Sequence, residues 1–247
     1  MKAKILILIL TIFYLSCKKD NQNSTLPNVY SNKSVGTSAN DLLSAGKFTS
    51  LKIEIHFMPN NAPDPGAITH FQNLLNSLLN KPGGIQITQK QIASGGKSSY
   101  TLADIKSVEK NNRTVYTEGN TLGVYILITD ADYTDNGVLG IAYLNTSCVL
   151  LGKTIRDNSG GFGKASLTKL EATVMEHELG HLLGLVNLGS SMQTSHEDAA
   201  HNNHCSNSNC IMYYASETTD ILGFLLTGSI PAFDTNCAND LKANGGK

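Results

Sequence analysis

Residues 177–184 read His177-Glu178-Leu179-Gly180-His181-Leu182-Leu183-Gly184. On an α-helix, side chains at positions i and i+4 lie on the same face, so His177 and His181 can bind one metal ion from consecutive turns. Glu178 stands beside them and could take a proton from a zinc-bound water. The stretch therefore predicts a helix that carries a zinc site, with His177 and His181 as ligands and Glu178 as a general base.

This helix is predicted to run from about residue 166 to residue 185. Apolar side chains at Leu170, Val174, Leu182 and Leu185 indicate that it is buried. Gly184 would let the chain leave the helix at a sharp angle. Beyond it the chain is irregular and polar as far as residue 210.

The segments around this helix alternate between strand and helix patterns. Residues 51–57 place apolar side chains at every second position, which predicts a strand with one buried face. Residues 68–79 carry apolar side chains at helical spacing, and Pro82-Gly83-Gly84 ends that helix. We also predict strands at 85–92 and 121–129, a strand pair at 138–151, and helices at 102–109, 216–226 and 234–241. This order indicates an α+β fold.

The composition is that of a globular protein, with 40% hydrophobic residues, 16% charged residues and a formal net charge of −1. No long basic run occurs, so the sequence gives no sign of a nucleic-acid partner. Separately, we expect a monomer. We divide the chain into a signal peptide at 1–16, a flexible tether rich in Ser, Asn, Lys and Thr at 17–46, and a domain at 47–247 that carries the predicted zinc site and that the resemblance described below implies is a zinc metallopeptidase domain.

The amino terminus is typical of an export signal. Met1-Lys2-Ala3-Lys4 precedes a short apolar stretch that ends at Ser16-Cys17. This stretch resembles a bacterial lipoprotein signal, although Tyr14 stands where the usual pattern prefers leucine, and the following residues resemble surface lipoproteins of the Bacteroidetes type. The resemblance implies a lipid on Cys17 that anchors the protein to the outer membrane or the cell surface. The alternative is a plain cleaved signal.

The remaining cysteines are Cys148, Cys205, Cys210 and Cys237. An even number in an exported chain favours disulfides. We expect a small loop closed by Cys205–Cys210 and a second bridge between Cys148 and Cys237. A second zinc site is the competing interpretation, but the sequence contains no C-x-x-C pair.

A catalytic zinc usually has three protein ligands and one open position, so a third ligand must follow His181. Asn187 stands where metzincin peptidases, with the pattern H-E-x-x-H-x-x-G-x-x-H, have their third histidine. A neutral amide oxygen is a poor zinc ligand, which argues against Asn187. Other candidates lie further along the chain.

Residues 204–212 read His204-Cys205-Ser206-Asn207-Ser208-Asn209-Cys210-Ile211-Met212. This segment resembles the ending of the archaemetzincins, in which the third histidine precedes Cys, four residues, Cys, one residue and Met. An insertion separates it from Gly184, as in leishmanolysin-type metzincins. The resemblance covers residues 171–216. It implies His204 as the third ligand and a metzincin-like zincin with a mixed twisted sheet, an active-site helix and a smaller irregular carboxy-terminal lobe.

The insertion itself offers further metal ligands. Glu197 would make the site similar to that of a gluzincin, and His201, His196 and Asp198 are alternatives. The segment after His204 suggests two more roles by resemblance. Met212 would form the apolar floor beneath the zinc, and the phenol of Tyr214 would donate a hydrogen bond to the oxyanion, as in astacin-like members.

These features predict a zinc metalloendopeptidase that hydrolyses peptide bonds of extracellular or surface proteins, with Zn²⁺ as its cofactor. Residues 138–143 resemble the metzincin edge strand that pairs with an extended substrate. A non-catalytic zinc-containing surface lipoprotein that binds a partner is the main alternative, because Asn187 departs from the family pattern. A metallohydrolase of non-peptide substrates is a third possibility.

Overall fold

The computed structural model describes residues 29–247. The predicted signal peptide, Cys17 and the first part of the predicted tether lie outside these residues. Within them, no helix is both long enough and apolar enough to cross a membrane.

The centre of the fold is a five-stranded mixed sheet in the order β2-β1-β4-β7-β6. Four of its strands are parallel, and β6 runs antiparallel to β7 at one edge. A two-stranded parallel pair, β3 and β5, lies apart from this sheet. The strands are Ser50–Phe57 (β1), Ile85–Gln91 (β2), Ser99–Tyr100 (β3), Thr121–Ile128 (β4), Asp132–Tyr133 (β5), Gly140–Leu144 (β6) and Ser147–Leu150 (β7).

Apolar layers cover both faces of the sheet because β1 and β4 alternate their side chains between the two faces. Ile53 and Ile126 lie in the larger layer, which includes residues of the helices Pro65–Leu78 and Leu167–Leu182. Tyr125 and Leu127 lie in the smaller layer with Ile105 of the helix Leu102–Asn112. The α-helices are Ala39–Leu43 (α1), Pro65–Leu78 (α2), Leu102–Asn112 (α3), Gly152–Asp157 (α4), Leu167–Leu182 (α5), Leu222–Thr227 (α6) and Thr235–Ala243 (α7). The predicted α+β architecture is confirmed.

The helix that carries the histidines, α5, has well-defined ends. Ser166 caps its first turn, where the hydroxyl accepts a hydrogen bond from the Lys169 amide (3.2 Å). Gly184 follows the helix with φ +73°, and a Cβ at this position would lie 2.7 Å from the Ser190 amide nitrogen. Only glycine fits there without strain. The helix ends at Leu182 rather than at the predicted residue 185.

The predicted tether was wrong for residues 29–46. Leu42 and Leu43 of α1 are fully buried in the larger apolar layer, and the Ser38 hydroxyl accepts a hydrogen bond from the Asn145 side chain (2.7 Å). The polar composition of this segment predicts a tether, although a few of its residues pack on the domain.

The segment that follows the metal motif also differs from prediction. The helix expected at 216–226 consists of two 3-10 turns, Tyr214–Glu217 and Thr219–Ile221, followed by the short α6. The Thr218 hydroxyl accepts from the Asp220 amide (3.3 Å) and starts a new turn there, which interrupts a continuous helix. The sequence does not predict α4, because the glycine-rich segment that follows it indicates a loop in this part of the chain.

Candidate metal centre

Three histidine rings meet at the carboxyl end of α5. His177 and His181 come from the helix, and His204 comes from the irregular region that follows it. The ring centroids are 4.7 to 5.3 Å apart, and the Nε2 atoms of His177 and His181 are separated by 3.0 Å. A tetrahedral zinc with bonds of about 2.0–2.1 Å separates its nitrogen ligands by about 3.3 Å. The spacing of this histidine cluster therefore suits one zinc ion.

Backbone carbonyls orient two of these rings. His177 Nδ1 donates to the carbonyl of Ile211 (2.7 Å), and His204 Nδ1 donates to the carbonyl of Asn202 (3.0 Å). A carbonyl can only accept, so the proton lies on Nδ1 and the lone pair of Nε2 points into the cluster. Metal-binding histidines are usually held in this way. Burial lowers the pKa of His181 to about 4, which keeps its ring neutral and able to bind a metal.

Glu217 completes a group of four ligand atoms that lie within 4.8 Å of one another. Its carboxylate oxygens are 3.5 Å from His177 Nε2, 3.7 Å from His181 Nε2 and 3.4 Å from His204 Nε2. Glu217 is not among the ligands that the sequence predicts.

Glu178 is fully buried one residue beyond the first histidine. Its carboxylate lies against the first residue of β6, since a Cβ added to Gly140 would be 2.5 Å from Glu178 Oε1. Burial raises the pKa of Glu178 well above its usual value, the charge of Glu217 raises it further, and the Ala142 amide opposes both. A carboxylate with this basicity beside a metal site can accept a proton from water.

Met212 packs against the helix that carries His177 and His181. It is fully buried, and its sulfur contacts α5 at Gly180, where any Cβ would clash with it. The Cys205 amide donates to the Met212 carbonyl (2.7 Å), which connects the segment carrying His204 to this methionine. The helix, the third histidine and the methionine are thus held together by direct contacts.

A family model described as metallo-peptidase family M12 matches residues 77–224, more than half of the chain. The chain belongs to metallo-peptidase family M12. The match includes all of the histidine cluster together with Glu178 and Glu217. No curated protein matches this M12 chain in sequence.

The fold of this M12 chain is similar to that of the archaemetzincin AmzA from Methanopyrus kandleri, a crystal structure at 1.5 Å resolution. The TM-score is 0.51 at 16% sequence identity, with 81% of this chain and 96% of that chain covered. At this identity the likeness concerns the fold alone. It supports the predicted metzincin-like architecture.

The other candidates for the third ligand make different contacts. The Asn187 side chain donates to Glu197 Oε2 (2.6 Å), and His201 Nδ1 lies 2.8 Å from an oxygen of Asp198. His196 Nε2 lies 2.8 Å from Asp240 Oδ2. The four-atom group around the histidine cluster includes none of these residues.

Tyr214 lies beside the insertion and does not line the cleft that contains His181 and His204. Its ring stacks on that of His201, with centroids 3.7 Å apart. That cleft is lined by Val35, Ile141, Ala142, His181, Leu188, Asn203, His204 and Glu217. A catalytic role for Tyr214 therefore stays a prediction.

The predicted disulfides were wrong. The free thiols are Cys148, Cys205, Cys210 and Cys237. Cys205, Cys210 and Cys237 converge with Asp234, and their ligand atoms lie within 4.8 Å of one another; Cys148 does not belong to this cysteine cluster. Cys210 Sγ and Cys237 Sγ are 3.6 Å apart. A tetrahedral zinc with Zn–S bonds of about 2.3 Å separates two sulfurs by about 3.8 Å, so the cluster suits a metal ion.

Further contacts prepare the cysteine cluster for a cation. Hydrogen bonds from Cys205 and Cys237 lower the pKa of Cys210 and favour its thiolate, while hydrogen bonds within the cluster raise the pKa of Cys205 and of Cys237. Asp234 caps α7 by accepting from the Cys237 amide (2.9 Å) with one oxygen, and its other oxygen faces Cys205 Sγ (3.5 Å). A search for C-x-x-C misses this cluster, whereas a search that also admits aspartate finds Asp234-x-x-Cys237.

Proposed function

We propose that this M12 chain is a zinc-dependent endopeptidase in which His177, His181 and His204 bind the metal and Glu178 is the general base. The observation that carries the proposal is the convergence of three histidine Nε2 atoms beside a buried glutamate. Family membership and fold support the same conclusion at a coarser level. The sequence identity to the solved structure is low, so we infer the substrate and the mechanism from the residues of the site.

Zinc, when bound, supplies a Lewis acid that activates water and polarises the scissile carbonyl. Glu178 accepts a proton from the attacking water and delivers it to the leaving amine. Burial suits it to the first task, because a raised pKa makes the carboxylate a stronger base. The Ile211 and Asn202 carbonyls keep the rings of His177 and His204 in one orientation throughout.

We propose that an extended segment of the substrate protein pairs with β6. This strand lies at the edge of the sheet and begins beside Glu178. The chain covers both ends of the edge, since Leu139 donates to the Glu217 carbonyl (2.8 Å) and Asn145 donates to the Lys33 carbonyl (3.0 Å). Strand addition would therefore use the edge formed by residues 140–144.

The proposed substrates are proteins at the cell surface, and the proposed anchor is a lipid on Cys17. Both proposals come from the amino-terminal sequence pattern. The proposed partners are protein or peptide substrates and the membrane. We propose a monomer with no nucleic-acid partner.

Removal of the metal should abolish the activity. We expect the zinc-loaded protein to cleave an unfolded protein substrate, to lose this activity in a chelator, and to recover it when stoichiometric Zn²⁺ is added back. Cleavage products resolved by mass spectrometry measure all three states. A protein with one zinc at the histidine cluster and no cleavage of any unfolded substrate would contradict the proposal.

That contrary result would favour the alternative, a non-catalytic zinc-containing binding lipoprotein. A specific observation supports this alternative, because Glu217 occupies the position at which a catalytic zinc would be open. The buried Glu178 argues against it, since a binding protein has no need of a base beside the metal.

We also propose that the cysteine cluster holds a second, structural zinc. Soft thiolates select zinc, and four protein ligands close a site to water. The wild-type protein should contain two equivalents of zinc, and Cys237→Ser should keep only the one at the histidine cluster while its melting temperature falls. Cys148→Ser, which changes a buried thiol outside the cluster, is the matched control and should keep both equivalents. Elemental analysis that finds a single equivalent in the wild type would contradict the second site.

A further inference from the structure

We propose that Glu217 is a fourth, displaceable ligand that closes the metal site at rest and leaves it when substrate binds. This inference rests on the proposed function, because it needs a zinc ion at the histidine cluster. It assigns a role to a carboxylate that lies outside the H-E-x-x-H segment, 40 residues after His177.

The geometry of the carboxylate is that of a ligand. Its oxygens stand 3.4 to 3.7 Å from the Nε2 atoms of all three histidines. A tetrahedral zinc with bonds of about 2.0–2.2 Å to nitrogen and oxygen separates neighbouring ligands by about 3.3–3.5 Å. One ion at the centre of the four groups would therefore be within reach of each of them.

A cation bound by the three histidines and Glu217 would also balance the negative charge of the Glu217 carboxylate. The Nδ1 protons of His177 and His204 are already donated to carbonyls, so an ion pair between either Nε2 and Glu217 would require a second proton on that ring. Charged rings are costly in a cluster this deeply buried. Neutral imidazoles, one carboxylate and one divalent cation leave only a single net positive charge.

Glu217 differs from the histidines in its freedom to move. Its side chain is 28% exposed, whereas those of His177 and His181 are 0% and 8% exposed. Its backbone is fixed, because its carbonyl accepts from Leu139 and the neighbouring Thr218 forms a bridge with Val138. The carboxylate can therefore swing toward the cleft while the main chain stays in place.

The backbone contact places this carboxylate at the beginning of β6. A peptide that adds to the edge of β6 would arrive beside Glu217, and its carbonyl would compete for the same position on the metal. A catalytic zinc needs an open position, so Glu217 must leave before the reaction. The structure thus couples substrate binding to the opening of the site.

Two measurements on Glu217→Gln test this role in the full-length protein. The affinity for Zn²⁺, measured by competition with a chromophoric chelator, should fall about 10- to 100-fold, because a charged ligand becomes a neutral amide. The affinity of the zinc-loaded protein for acetohydroxamate should rise about 10-fold, because this probe no longer displaces a carboxylate. Asp220→Asn removes the same charge from an exposed position three residues away and should change neither affinity by more than about 2-fold.

The proposal requires both changes. A weaker affinity for zinc without the gain for acetohydroxamate, or unchanged values of both, would overturn it. A crystal structure of the zinc-loaded wild type does not depend on the folding of a variant: a Glu217 oxygen at about 2.0–2.2 Å from zinc supports the proposal, and a water there overturns it. Wild-type protein that binds no zinc at the three histidines would instead refute the proposed function.

Discussion

Glu178→Gln should keep zinc and lose nearly all turnover. The amide has the shape of the carboxylate but cannot accept a proton from water, so kcat should fall about 10²- to 10⁴-fold. Glu178 is fully buried and does not belong to the four-atom metal group, so zinc content should stay at the wild-type value. Steady-state cleavage of a fluorogenic peptide and elemental analysis of the same sample measure the two effects.

Glu176→Gln is the matched control for this experiment. Glu176 lies on the same helix and is equally buried, but it contacts His70 Nδ1 (2.5 Å) on α2. Its replacement should lower the melting temperature and leave kcat of the folded fraction unchanged. Activity preserved in Glu178→Gln would refute its assignment as the base, as would equal losses of kcat in the two variants.

The second large effect is expected at His204. His204→Ala should weaken zinc binding at the histidine cluster by at least about 100-fold, more than the usual cost of losing a residue that only orients a ligand. Peptidase activity at limiting zinc should disappear with the metal. Competition with a chelator measures the affinity directly, and the melting temperature shows whether the apo variant stays folded.

Asn187→Ala and His201→Ala are the controls, because each removes a polar side chain that the sequence also offered as a ligand. Asn187 contacts Glu197, and His201 contacts Asp198. Neither variant should change the affinity for zinc by more than about 2-fold. Loss of zinc from Asn187→Ala with normal binding in His204→Ala would move the third ligand to Asn187.

The sequence predicts the local features of this molecule well. The spacing of His177 and His181, the hydroxyl of Ser166 and the glycine at residue 184 each act on the backbone within a few residues of their own position. The local pattern therefore indicates α5 and the two ligands that it carries. The alternation over residues 51–57 similarly predicts β1. The metzincin-like fold follows from the resemblance of residues 171–216, and the structure confirms it.

Contacts between distant segments are what the sequence does not reveal. Glu217 reaches the histidines because its backbone pairs with Leu139, a contact that no spacing encodes. Asp234 caps α7 and also faces the cysteines. Its position just before α7 is explained by the cap alone, so the sequence gives no sign of its contact with the cysteines. The thiols alone therefore give no sign of a carboxylate among them, and the disulfides that the sequence predicts are wrong.

The sequence does not reveal the burial of residues 29–46 for a related reason. The polar side chains of this segment predict a tether, but Leu42 and Leu43 find an apolar layer built from residues far along the chain. Val35 even lines the cleft with His181 and His204. Composition describes what a segment could do alone, whereas packing depends on the surface that the rest of the chain provides.

Zinc-edge anomalous diffraction from crystals of the metal-loaded wild-type protein is the most direct test of the central claim. We expect an anomalous peak about 2.0–2.1 Å from the Nε2 atoms of His177, His181 and His204, separate from any peak at the cysteine cluster, with the Glu178 carboxylate beside it. No peak at this position, or a peak whose ligands exclude His204, would contradict it.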